Sequence, residues 1–291
     1  MRQSSRLASL LVSVFLSLPG PALAHRAWML PSATVLSGGD QWVTVDAAVS
    51  NDLFYFEHNP LRLDNLAITA PDGSAVPAEN VSTGRFRSTF DLPLRQAGTY
   101  KIAVVNDVAA AMYDEGGETK RWRGRAEALA REVPAGAKNL QVSRTHSRTE
   151  VFVTAGKPTD GVLRPTGVGL ELVPITHPND LVQGEPARFR LIVDGRPAVD
   201  VTVSVVPGGI RYRDRLNEMS VRTGLDGTFT VTFPDAGMYW LNAMVRTGRA
   251  GAPPQPGSDA GAPPMPGADA QPPFRAGERA IYTATLEVMA K

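Results

Sequence analysis

The sequence predicts a mainly all-β protein built from two tandem β-sandwiches of immunoglobulin-like or transthyretin-like type. Three observations carry that reading. Short runs that alternate apolar and polar residues recur along the chain, and turn residues separate them at close spacing. Helical periodicity is confined to one segment. The pattern Ala-Gly-x-Tyr closes a run in each half of the chain, at Ala97–Tyr100 and Ala236–Tyr239.

The N-terminus comes first in chain order. Met1–Arg6 carries Arg2 and Arg6, Leu7–Leu18 is apolar apart from three serines, and Ala22-Leu23-Ala24 follows a Pro-Gly-Pro break. Positive, apolar and small-residue regions in that order are the secretory pattern, with cleavage expected after Ala24. The apolar run is about a dozen residues, short of the roughly 20 that span a bilayer. The expected product is exported to the periplasm, without membrane insertion of the mature chain. The absence of cysteine excludes disulfides, thiol nucleophiles and thiolate metal sites, and suits a periplasmic protein that folds on core packing. Of 30 basic and 29 acidic residues the leader holds two arginines and no acid, so the mature chain has a formal charge of −1. That balance offers no electrostatic case for nucleic acid.

The first sandwich is expected over residues 25–160. Gln41–Ala47, Thr99–Val105 and Glu150–Thr154 read as its strands. Between them, Trp122, Ala126, Leu129 and Val133 recur at helical spacing, and Pro134 and Gly136 follow. This predicts one amphipathic helix over 118–133, with Asp114, Glu115 and Glu118 at its solvated entry. A Gly-, Pro- and Thr-rich stretch at 156–169 marks a boundary. The second sandwich is expected over 161–291, with strands at Ala187–Val193, Val199–Val205 and Thr228–Phe233 and turns at Asp194-Gly195 and Asp226-Gly227. Within it, Gly251–Ala260 is nearly repeated as Gly261–Ala270. A Pro/Gly/Ala-rich duplication cannot bury a core, so 249–276 is expected as a disordered loop on the sheet.

No serine-nucleophile elbow, phosphate loop, H-E-x-x-H pair or dinucleotide fingerprint is present, so no catalytic residue is assigned. The four histidines are the candidate chemistry. Cleavage after Ala24 makes His25 the first residue, and its α-amine and imidazole then form a nitrogen pair able to chelate Ni(II) or Cu(II). His58, among Tyr55, Phe56 and Pro60, and His177, between Thr176 and Pro178, are the candidate further ligands. Each also has a structural reading, in a turn for His58 and at a hinge for His177. His146 sits among Arg144 and Arg148, which disfavour a bound cation.

Five segments carry a resemblance: Ala24–Pro31 (AHRAWMLP), Thr119–Gly124 (TKRWRG), Leu170–Pro178 (LELVPITHP), Pro207–Arg213 (PGGIRYR) and Ala236–Leu241 (AGMYWL). Together they resemble the periplasmic domain of unknown function 4198 family. Its members are often labelled as nickel- or cobalt-uptake periplasmic components. The resemblance implies a β-rich secreted protein that handles Ni(II) or Co(II), with an inner-membrane metal uptake system as partner. It supplies no catalytic residues. Three expectations follow. The first is a non-enzymatic metal-binding protein using His25, His58 and His177. The second is a sandwich module binding an envelope protein or glycan. The third is a copper oxidase or polysaccharide oxygenase with the terminal histidine as a brace, which needs a second histidine facing the first and an open coordination position.

Overall fold

The computed structural model describes residues 25–247 and 277–291. The expected leader 1–24 and loop 249–276 lie outside them. The protein is mostly β, with sandwich-like packing of three sheets.

The first core lies between two antiparallel arrays. One is a five-stranded sheet in the order Arg26–Pro31, Gln41–Ser50, Ser88–Leu94, Glu79–Thr83, with Asn59–Pro60 paired to the end of Gln41–Ser50. The other contains Lys138–Ala155, Gly98–Glu115 and Leu66–Thr69. Alternation does what the period of two requires. Val43, Val45, Phe90 and Leu92 point inward from the first array, and Tyr100, Ile102, Val151 and Val153 meet them from the second. The second core is built the same way. A four-stranded sheet centred on Pro186–Val193 supplies Phe189, Leu191, Phe229 and Val231. Facing it, Thr202–Pro207, Gly237–Thr247 and Gly277–Val288 supply Val203, Val205, Leu241 and Tyr282.

The Ala-Gly-x-Tyr signature closes each sandwich identically. Tyr100 Oη accepts from the Gln96 N–H and donates to its carbonyl, at 2.8 and 3.2 Å. Tyr239 Oη does the same at Asp235, at 3.3 and 2.8 Å. Each is a tyrosine corner of the kind found in immunoglobulin-like sandwiches.

No residue of the first core lies beyond Ala155 and none of the second precedes Leu170. Hydrogen bonding nevertheless crosses between them. Lys138–Ala155 pairs in parallel with Gly277–Val288, from Ser143 opposite Gly277 to Val151 opposite Thr285. The halves of the two sandwiches thereby form one nine-stranded sheet.

The helix expected over 118–133 is corrected. Glu118–Arg125 is a strand, paired antiparallel with the end of Gly98–Glu115 through a two-residue turn at Gly116-Gly117. Both glycines have positive φ, +63° and +86°, as this tight hairpin turn demands. Within 118–133, helix is confined to a 3₁₀ turn, Ala126–Ala128, and one short α-helix, Leu129–Glu132. The apolar residues behind the helical reading do share a cluster. Trp122, Leu129 and Val133 pack on Ala111 and Tyr113, but a strand and a turn bring them there. The acidic residues hold the hairpin, not a helix entry. Asp114 accepts from Thr119 and Asn139, and Glu115 pairs with Lys120 at 2.6 Å. Among the described residues no helix is long and apolar enough to cross a membrane.

Candidate functional site

His25 and His58 come together. Their imidazole rings stack with centroids 3.7 Å apart and planes 18° from parallel. The sheet explains the encounter. Val49 pairs with Ala27 on one side and Asn59 on the other, so the strands that follow His25 and His58 flank the same central strand. The two rings meet across its end.

The loop from Asn51 to His58 is held from within and from below. Glu57 Oε1 accepts the backbone N–H groups of Asn51 and Asp52, both at 2.8 Å. Arg26 Nη1 donates to the Asn51 carbonyl at 2.7 Å. Trp28 Nε1 donates to Ser50 Oγ, which donates to the Asp52 carbonyl. Phe54 adopts φ of +62°, a left-handed backbone that is rare for an aromatic residue and is held by the contacts around it. Its ring and that of Phe56 lie 5.5 and 5.6 Å from the buried Trp28 ring.

The second sandwich supplies the rest of this platform. Trp240 Nε1 donates to the Ala27 carbonyl at 2.9 Å, and Arg26 lies 5.7 Å from the Trp240 ring centroid. A side chain at Gly208 would start 2.9 Å from Phe54, which leaves room only for glycine there. Arg211 sits 3.9 Å over Tyr55, and Arg213 ties its own loop by donating to the Pro207, Gly208 and Leu216 carbonyls. Three of the segments that carried the resemblance, around residues 24–31, 207–213 and 236–241, thus converge on one aromatic seam. A family model, "Domain of unknown function (DUF4198)", matches residues 22–247.

The chain belongs to the DUF4198 family. No curated protein matches it. Among solved structures, a DUF4785 family protein from Legionella pneumophila is similar at 10% identity, with a TM-score of 0.21, over 74% of this chain and 50% of that one. The chain therefore spans half the length of that protein.

The other two histidines of this DUF4198 chain lie elsewhere. His177 Nδ1 accepts the Asn179 N–H at 3.1 Å, which leaves the ring proton on Nε2, facing Thr99 Oγ1 at 3.1 Å and the Thr159 carbonyl at 3.4 Å. Asn179 in turn bonds Thr154 and the Phe152 carbonyl. Both ring nitrogens serve a polar joint between the sandwiches, so His177 does not join the pair. Burial holds its pKa below the ordinary histidine value. His146 is also held low, chiefly by burial, and its Nδ1 is buried without a partner above Gly169.

Among the described residues no three His, Asp or Glu side chains form a cluster able to hold a metal ion. Two imidazoles are present at the seam, so a third donor there has to come from elsewhere. The α-amine of a chain starting at His25 is such a donor, and buried Asn51 Oδ1 in the same loop lacks a hydrogen-bond partner. The donor set is nitrogen and oxygen without sulfur, which suits Ni(II), Co(II) and Cu(II). Ring nitrogen lone pairs lie in the ring planes, so the near-parallel rings do not aim at one point. The His25 side chain is exposed, so its rotation is not restricted by burial. Nothing local in sequence linked His25 to His58, and the anchoring roles of Glu57, Asn51 and Trp240 carried no sequence signal.

Proposed function

We propose that this protein is a periplasmic, non-enzymatic transition-metal binding protein that captures Ni(II) or Co(II) and delivers it to an inner-membrane uptake system. The observation that carries the reading is the stacked pair His25–His58. With the leader removed after Ala24, that pair supplies three nitrogens: two imidazoles and one α-amine. The rigid loop and the aromatic seam fix one imidazole, while the exposed terminal residue adjusts to the ion. Cu(II) is the strongest competitor for such nitrogens under the usual affinity order.

Calorimetric titration of the mature chain with Ni(II), Co(II) and Cu(II), with intact mass recorded, tests this. A mass beginning at His25, binding abolished in His25→Ala and His58→Ala, and binding kept in His177→Gln are expected. Binding indifferent to His25 and His58 overturns the reading.

A further inference from the structure

A second feature of the surface does not involve the histidines. A cleft of about 1190 Å³ opens on one face of the nine-stranded sheet. Register pairing places Arg246, Arg279, Thr145, Val108 and Arg125 in one transverse row across five adjacent strands. All five line the cleft. At the usual strand spacing of about 4.8 Å, the row is about 19 Å long. Arg123 stands in the next row, beyond Ser143 and Ala110.

The charges on this face are not balanced, although Arg125 has the exposed Glu127 at 3.7 Å. Arg246 and Arg279 are directly opposite each other, an arrangement that destabilises a sheet unless something compensates it. Neither has an ion pair or hydrogen bond among the described residues, and the same holds for Arg123. The two acids at the cleft are already taken, Asp64 by Arg62 and Asp107 by Arg144. Segment 248–276, between the two strands that carry Arg246 and Arg279, contributes Arg249 and Arg275 against Asp259 and Asp269, so it adds no net charge.

The rest of the lining narrows the ligand. Ser143, Thr145, Ser147 and Asn106 place hydroxyl and amide groups between the cations, and these both donate and accept. Among the described residues no aromatic side chain lines the cleft, so they offer no stacking platform of the kind that single-stranded nucleic acid uses. The length of the row exceeds what one small dicarboxylate bridges. We infer that this face binds an acidic polysaccharide, whose carboxylates meet Arg246, Arg279, Arg125 and Arg123 and whose hydroxyls meet the polar floor. Guanidinium groups suit that task because they form forked, charge-assisted bonds to carboxylates.

The test is titration of the mature chain with galacturonate oligosaccharides in the presence of a metal chelator, so that failure of the metal reading leaves the result intact. Neutral dextran and polyphosphate are titrated in parallel. Tetragalacturonate should bind, digalacturonate more weakly, and dextran not at all, with affinity falling as salt rises. Arg246→Ser/Arg279→Ser should weaken binding at least about tenfold, since two charge-assisted contacts are lost. Its melting temperature should be unchanged or raised, because a like-charge pair is removed. Arg85→Ser, an exposed arginine outside the cleft, should bind like the parent. Failure of tetragalacturonate to bind, equal binding of dextran, binding of polyphosphate alone, or an equal loss in Arg85→Ser overturns the inference.

Discussion

Tyr282 donates a 2.8 Å hydrogen bond to Glu150 Oε2 across the parallel seam that joins the two sandwiches. Glu150 also accepts from Arg148 at 3.0 Å, and Arg148 reaches Glu171 at 3.5 Å and Thr166 at 3.0 Å. Glu171 accepts the N–H groups of Thr166 and Gly167. Two carboxylates and one guanidinium are therefore buried together, where loss of the guanidinium or of a hydrogen-bond donor leaves a buried carboxylate less compensated. Tyr282→Phe removes one donor from a buried carboxylate and should lower unfolding free energy by about 1.5–3 kcal/mol. Urea denaturation at neutral pH reads this directly.

The same phenol contributes to stability on the alkaline side. Burial, and then the negative charge of Glu150, push the Tyr282 phenol well above its ordinary value of 10.0. The folded state holds the proton more tightly than the unfolded state does. The resulting stability is fully present below about pH 10 and is lost as pH rises toward the folded value. Melting temperature should fall more steeply above pH 10 in the parent than in Tyr282→Phe. A residual slope should persist, because Tyr100 and Tyr239 are also raised by burial.

On the acid side the sign reverses. His177 and His146 are both held below 6.5, first by burial. Their neutral forms are favoured in the folded state, so this contribution is complete above about pH 6.5 and is lost as pH falls through that value toward the folded ones. The urea midpoint should drop as pH falls below about 6.5. His177→Gln, which cannot titrate, should flatten part of that drop. An unchanged slope in this variant would show that His177 does not contribute.

Each tyrosine corner predicts its own loss. Tyr100→Phe and Tyr239→Phe delete two hydrogen bonds apiece to backbone that turns into the closing strand. Each should cost about 1–3 kcal/mol. The double variant should be additive, since the two corners belong to different cores. Denaturation of the three variants measures this.

These corners also show what the sequence made legible. Ala-Gly-x-Tyr is a local signal for a local structure, as are the alternating strands, and both are read without tertiary information. Glu118–Val133 failed because Trp122, Ala126, Leu129 and Val133 satisfy a helical period while Gly116-Gly117 dictates a hairpin, and the turn prevailed. Parallel pairing of Ser143–Val151 with Gly277–Thr285 joins residues far apart in sequence. No local period encodes it, and the row of arginines on that face is invisible for the same reason. For His25 the processing site drew attention to the residue. Its partner followed only once the sheet placed the strands after His25 and His58 on either side of Val49.

The seam beneath that pair makes the last prediction. Arg26 contributes no metal donor in the proposed site, yet it binds the Asn51 carbonyl and lies over Trp240, so it links the loop carrying His58 to the second sandwich. Groups that orient ligands without touching the ion typically change metal affinity about 10–100-fold. Arg26→Met keeps an apolar stem against Trp240 and deletes the hydrogen bond. Ni(II) affinity should fall about tenfold while the melting temperature changes little, because Arg26 lies at the edge of the first sheet, outside its core. Equal losses of affinity and melting temperature would mean that Arg26 supports the fold alone. Retained affinity would mean that Glu57 and the buried Trp28 are enough to hold His58 in place.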